Sequence, residues 1–104
     1  MPTPAFDLNQ MLFNRTYELL SSRWKVYLIY AIGEQTYRMG QLCRMFPNIS
    51  RVTLTSYLQE LEREGYVNRI AYPAPPLKVE YSLTPLGLDA LGAITPLIAW
   101  GEQV

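Results

Sequence analysis

Apolar residues recur along this chain first at a helical period of about 3.6 and then, beyond Gly65, by alternation. Phe6, Leu8, Leu12, Phe13, Tyr17, Leu19 and Leu20 predict a first helix over residues 5–20, with no Gly or Pro inside it. Ser21 or Ser22 can cap a second helix, Arg23 to Ile32, whose nearly all-apolar stretch from Trp24 onward belongs at the centre of the fold. Gly33 ends it, and a short extended segment is expected around Gln35 to Tyr37. Met39, Leu42, Cys43 and Phe46 then return to helical spacing until Pro47 stops the run.

Asn48-Ile49-Ser50 reads as a tight connector, with Ser50 as N-cap of a helix from Arg51 to about Glu64 that Gly65 terminates. On a helical wheel Leu54, Leu58 and Leu61 share one face, and Val52, Ser56, Gln59 and Arg63 fall opposite. Glu62 and Glu64 lie toward the C-terminal end, against the macrodipole preference, so together with Glu60 they are expected to form a solvated helix end rather than a metal or acid–base set. Tyr66–Tyr72 and Lys78–Leu83 have the alternation of strands, and Pro73-Ala74-Pro75-Pro76 between them forms a stiff hairpin tip. Thr84-Pro85 opens a last helix that runs to about Glu102, with a kink or break expected near Pro96.

Composition narrows the chemistry. With 104 residues, 49% hydrophobic and 17% charged, the chain is expected to fold as one domain. It has no histidine, which removes histidine-based catalysis and His-containing metal sites, and its one cysteine, Cys43, excludes an internal disulfide or a multi-cysteine zinc cluster. An enzyme is therefore not expected, nor a cofactor, and Cys43 reads better as a small core hydrophobe than as a sensor. The start lacks the basic n-region of a signal peptide, and the longest apolar run, Val26 to Ile32, is far short of the roughly 18 residues of a membrane span. A soluble, cytoplasmic protein is expected.

The formal net charge is zero, yet it is unevenly spread. Residues 35–78 hold six cations against three anions, whereas residues 79–104 hold three anions and no cation. The positive charge is gathered in the middle, where a partner of opposite sign could be met.

Helix, tight turn, capped helix and two-stranded hairpin is the order of a winged helix-turn-helix: a mainly α, α+β fold with a two-stranded wing and flanking terminal helices. Its chemistry is geometric, since a helix about 10 to 12 Å across fits a major groove about 12 Å wide. Short polar side chains at Thr53, Thr55, Ser56 and Gln59 bring that helix close to base edges, while Arg51, Arg63, Arg69 and Lys78 are placed for phosphates. Arg38, Ser50 and Val52 complete the candidate DNA-contacting set.

The run Ile49-Ser50, Leu54-Thr55, Leu58, Glu60-Leu61-Glu62, Gly65-Tyr66-Val67, Arg69 and Tyr72-Pro73 resembles the HxlR-type winged-helix transcription regulators, relatives of the MarR superfamily. Val79-Glu80-Tyr81-Ser82-Leu83-Thr84 and Gly87 carry the same resemblance, as do Trp24-Lys25 and Trp100, so that it extends over residues 11 to about 101. The resemblance implies a homodimer on double-stranded DNA with a palindromic operator, acting as a repressor. Residues 5–20 and 85–102 would be dimerisation helices, 38–64 the helix-turn-helix and 66–83 the wing. The dimer contact is assigned to Phe6, Leu8, Leu12, Leu91, Ile94, Leu97, Ile98 and Trp100.

Three departures bear on this. Met11 stands where the family often has a cysteine, and a thioether cannot act as a thiolate, so no oxidant response is expected through that position. Val52, Ser56, Tyr57 and Ile70 replace basic or amide side chains, which implies fewer phosphate contacts and leaves Val52 free to touch a thymine methyl. Leu77 occupies a position usually held by proline. Tyr17, Tyr27 and Tyr30 serve packing, or an aromatic pocket for a small-molecule effector. The competing reading is a winged helix that binds protein instead of DNA, which the neutral charge would favour.

Overall fold

The computed structural model describes residues 5, 7–12, 14–73 and 75–104, excluding the side chains of Met11 and Leu12. Among the described residues six helices and three strands follow one another: α1 (Leu8–Leu12), α2 (Arg15–Leu20), α3 (Arg23–Ile32), β1 (Tyr37–Arg38), α4 (Met39–Met45), α5 (Arg51–Arg63), β2 (Val67–Tyr72), β3 (Lys78–Leu83) and α6 (Pro85–Glu102). Leu28, Ile29 and Ile32 of α3 meet Leu42 of α4 and Leu54, Leu58 and Leu61 of α5, all at most 1% exposed. The sheet closes this core with Val67, Tyr81 and Leu83, and α6 closes it with Ile94.

The long first helix expected over residues 5–20 is instead two short ones. Asn14, in an extended conformation, accepts the Thr16 N–H at 2.8 Å through Oδ1 and so starts α2 afresh. An asparagine side chain competes for backbone donors and so favours a new helix start, and no pattern of apolar residues reports it. Phe6 and Phe13 lie outside the described residues. At the other end the expected break does not occur, because α6 stays helical through Pro96. Gly92, whose carbonyl loses the proline N–H, is exposed, so water can take that bond.

The sheet has three strands in the order β1-β3-β2, all antiparallel, so the hairpin gains a short third strand beside the expected two. Val67 pairs with Leu83, Arg69 with Tyr81 and Tyr72 with Lys78. Since directly paired residues share a face and neighbours alternate, Val67, Arg69, Val79 and Tyr81 face the helices. Ile70, Tyr72, Lys78 and Glu80 face away.

At the wing root, α5, the hairpin and α6 are joined by backbone. Gly65, at φ +90°, lets the chain leave α5 while the Tyr66 N–H bonds to the Leu61 carbonyl at 2.9 Å. Thr84 donates its N–H to the Tyr66 carbonyl at 3.0 Å and its hydroxyl to the Gly65 carbonyl, and accepts the Gly87 N–H at 3.0 Å. Gly87 sits so close that a Cβ there would lie 2.1 Å from the Tyr66 carbonyl oxygen, so no other residue fits.

Candidate nucleic-acid interface

The outward face of α5 is built by the same spacing that buries its other side. Ser50 caps the helix, accepting the Thr53 N–H at 3.1 Å, and its hydroxyl donates to Thr53 Oγ1 at 2.9 Å. Thr55 returns its own hydroxyl proton to the Arg51 carbonyl at 2.7 Å. Two hydroxyls expected near base edges, those of Thr53 and Thr55, are thus engaged within the helix, because short β-hydroxyl side chains near an N-terminus find backbone and cap partners first. Each keeps acceptor capacity, and Thr53 and Thr55 also carry methyl groups.

Ser56 and Gln59 are exposed, and among the described residues no side-chain hydrogen bond engages either. With Arg51, Val52 and Thr55 they line one shallow hollow along the helix, in which Val52 is 81% exposed. Arg63 continues the exposed strip in the last turn.

A second hollow, of about 360 Å³, lies between the first half of α5 and the wing. Arg38, Arg51, Arg69 and Lys78 line it with Thr55 and the wing-tip residue Leu77, so four cations from four elements or their edges converge on one cleft. Arg38, Gly40, Gln41 and Arg44 line a third hollow on the α4 side. Arg44 was absent from the sequence-derived set, although it shares its helix with Gly40 and Gln41 and carries one of the six central cations.

Arg69 and Lys78 both border that cleft, yet the register of the hairpin sets their positions on different faces. Arg69 is on the face toward α5, whereas Lys78 is on the opposite face. Lys78 Nζ is 2.8 Å from Glu80 Oε1 and 4.8 Å from the centre of the Tyr72 ring. The Lys78 hydrogen bond, helped by its charge, holds the Glu80 carboxyl below the ordinary carboxylate range, against the opposing pull of desolvation.

The glutamates of α5 are likewise not the solvated end expected of them. Lys25, 9% exposed in the middle of the apolar α3 stretch, places Nζ 3.0 Å from Glu60 Oε2 and 2.5 Å from Glu64 Oε1. Burial pulls the Lys25 ammonium down, but the hydrogen bonds to Glu64 and Glu60 and their charges outweigh it and raise its pKa. Only Glu62 remains exposed as expected. The signal was present, as one lysine inside an apolar run and two glutamates one helical turn apart.

On α6, Ile94 is only 2% exposed and belongs to the core, which withdraws it from the predicted dimer contact. Leu91 and Ile98 are half-buried against the same core, while Leu97 and Trp100 are 53% and 63% exposed. Leu8 of α1 is exposed, and the side chains of Phe6 and Leu12 lie outside the described residues. Tyr17, Tyr27 and Tyr30 are exposed, with Tyr27 edge-on to Trp24 at 5.9 Å. Cys43 is half-buried against the core. Among the described residues no group of three or more His, Cys, Asp or Glu could hold a metal, and no helix is long and apolar enough to cross a membrane.

Comparison with known proteins places this arrangement. Residues 19–104 match the family described as HxlR-like helix-turn-helix. The chain is 43% identical over 83 residues to the HTH-type transcriptional regulator YtfH of Escherichia coli strain K12, an alignment covering 80% of this chain and 66% of YtfH, just under two thirds of that protein's length. Among solved structures, the redox regulator HypR in its reduced form superposes with a TM-score of 0.80 at 35% identity, over 85% of this chain and 87% of HypR. A MarR-family transcriptional regulator from Porphyromonas gingivalis W83 superposes with the same TM-score of 0.80 at 28% identity, over 98% of this chain and 97% of that one. The fold is a winged helix, and the chain belongs to the HxlR-like helix-turn-helix family of transcriptional regulators.

Proposed function

We propose that this chain is a homodimeric, sequence-specific DNA-binding repressor, acting in the cytoplasm as one winged-helix domain over residues 1–104. The observation that carries this reading is the exposed strip of α5 bordered by a cation-lined cleft. In it, Ser56 and Gln59 read base edges from the major groove, and Val52 meets a thymine methyl. Arg38, Arg51 and Arg69 take phosphates of the strand that passes between α5 and the wing, with Arg63 and Lys78 on the flanks.

A second copy completes the molecule. Its radius of gyration is 16.2 Å, against about 13 Å for a compact domain of this size, and α6 extends Leu97 and Trp100 beyond what the core covers. Pairing through α1 and α6 across a two-fold axis gives recognition helices about 34 Å apart, one turn of DNA, and hence a palindromic operator that a bound dimer occludes.

The test is affinity for the promoter fragment upstream of the chain's own gene and for a mixed-sequence duplex, across a salt series from roughly 50 to 200 mM. Arg69→Ala is expected to weaken both equally and reduce the salt slope by about 0.9. Ser56→Ala should weaken the promoter complex alone. A wild-type chain that binds neither duplex at low salt would assign the outer face of α5 to a protein partner.

A further inference from the structure

The outward face of the wing holds an anion at a place where a DNA-binding surface has no evident use for one. Glu80 is flanked on its own strand by Lys78, 2.8 Å away, and receives the Tyr72 hydroxyl from β2 at 3.4 Å. Across the other edge of β3 it is paired in register with Arg38, one of the cations that line the cleft. Tyr72 completes the enclosure by presenting its ring to the Lys78 ammonium at 4.8 Å. Lys78 in the free chain therefore has a charge partner and an aromatic platform, whereas none of the three cleft arginines is within ion-pair distance of a carboxylate among the described residues.

We propose that Glu80 is an internal counter-anion of the wing, which occupies Lys78 in the free chain and has to be exchanged for a backbone phosphate when DNA binds. This rests on the DNA-binding reading above. When an unpaired lysine meets a phosphate, a counterion leaves the DNA and affinity acquires about 0.9 of a unit of salt slope. When the lysine must first leave a carboxylate, the carboxylate left behind draws a cation back from solution, and most of that gain is cancelled. Glu80 thereby sets how much charge the wing presents to DNA of any sequence, and the neutral chain avoids clinging to DNA at large. Tyr72 holds the ammonium in place during the exchange, because a cation–π contact leaves the N–H donors free.

The variant Glu80→Gln removes the charge while keeping the shape and an acceptor for Tyr72. Binding of the wild type, Glu80→Gln, Lys78→Ala and the double variant to a labelled mixed-sequence duplex, followed by anisotropy across the salt series, separates the possibilities. Glu80→Gln is expected to bind more tightly, on the order of tenfold at about 50 mM salt, with a slope steeper by about 0.9. Lys78→Ala should change the slope by much less, and the double variant should match Lys78→Ala. If Glu80→Gln leaves the slope unchanged while the wild type binds DNA, the inference fails and the DNA-binding reading stands. A double variant as steep as Glu80→Gln would equally overturn it, because the charge would then act without Lys78. Absence of wild-type binding at low salt would overturn both.

Discussion

The two halves of α5 lie on one continuous helix and differ in where their polar side chains go. From Arg51 to Gln59 the outward positions carry no acid, and Ser56 and Gln59 have no side-chain hydrogen-bond partner among the described residues. From Glu60 onward two carboxylates turn back to the ammonium of Lys25 on α3. One half is left open, and the other is fastened to the fold. Two of the three acids that would seem to oppose DNA binding, Glu60 and Glu64, are thus engaged with a buried cation from their own chain, and Glu62 alone stays exposed. A glutamate in a recognition helix has to be judged by the neighbour it meets, and its charge alone is a poor guide.

That division can be broken from the fastened side first. Lys25→Met is expected to lower unfolding stability by about 2 to 3 kcal/mol, toward the low end for a broken buried pair because Glu60 and Glu64 still reach water. Urea titration measures it, and a change below about 0.5 kcal/mol would mean that the clamp holds nothing. On the open side, Gln59→Ala should cost about 1 to 3 kcal/mol on the operator while moving stability by less than about 0.5 kcal/mol. A loss of stability with unchanged operator affinity would reverse the roles assigned to the two halves.

Ser50→Ala sharpens the boundary, since its cap bond to Thr53 belongs to the helix: stability should fall by about 1 kcal/mol. The mildest probe is alkaline pH. The folded pKa of Lys25 lies above 10.5, so its contribution is fully present below the unfolded value and disappears as pH rises through the folded one. Urea midpoints taken at increasing pH above neutrality should therefore decline in the wild type and stay flatter in Lys25→Met over that range.

Much of the fold was legible because its determinants are periodic. Leu54, Leu58 and Leu61 fixed the buried side of α5, and the alternation of Val79, Tyr81 and Leu83 fixed the inner face of β3. Asn14 escaped that reading because a capping bond has no period, and Ile94 because one apolar stripe on α6 serves both the core and the exposed end. The candidate interface was legible as a set of residues but not as an assignment of atoms. Thr53 and Thr55 look available in sequence, and only coordinates show their hydroxyls engaged with Ser50 and the Arg51 carbonyl. Arg69 and Lys78 looked equivalent until the register of β2 and β3 put them on opposite faces.

The close fit at the wing root also governs how this chain can vary. Gly65, Tyr66, Thr84 and Gly87 tie the end of α5, both ends of the hairpin and the start of α6 through main-chain bonds and the Thr84 hydroxyl, and a single added methyl at position 87 would collide with backbone. Among the described residues at the far end of the hairpin, Pro73 and Pro75 to Leu77, no such closure is found, and all of them are exposed. Insertions, deletions and exchanges of side chains can accumulate at the tip while the root stays fixed. Related chains could thus diverge in what the tip meets while inheriting unchanged the angle at which the wing is carried.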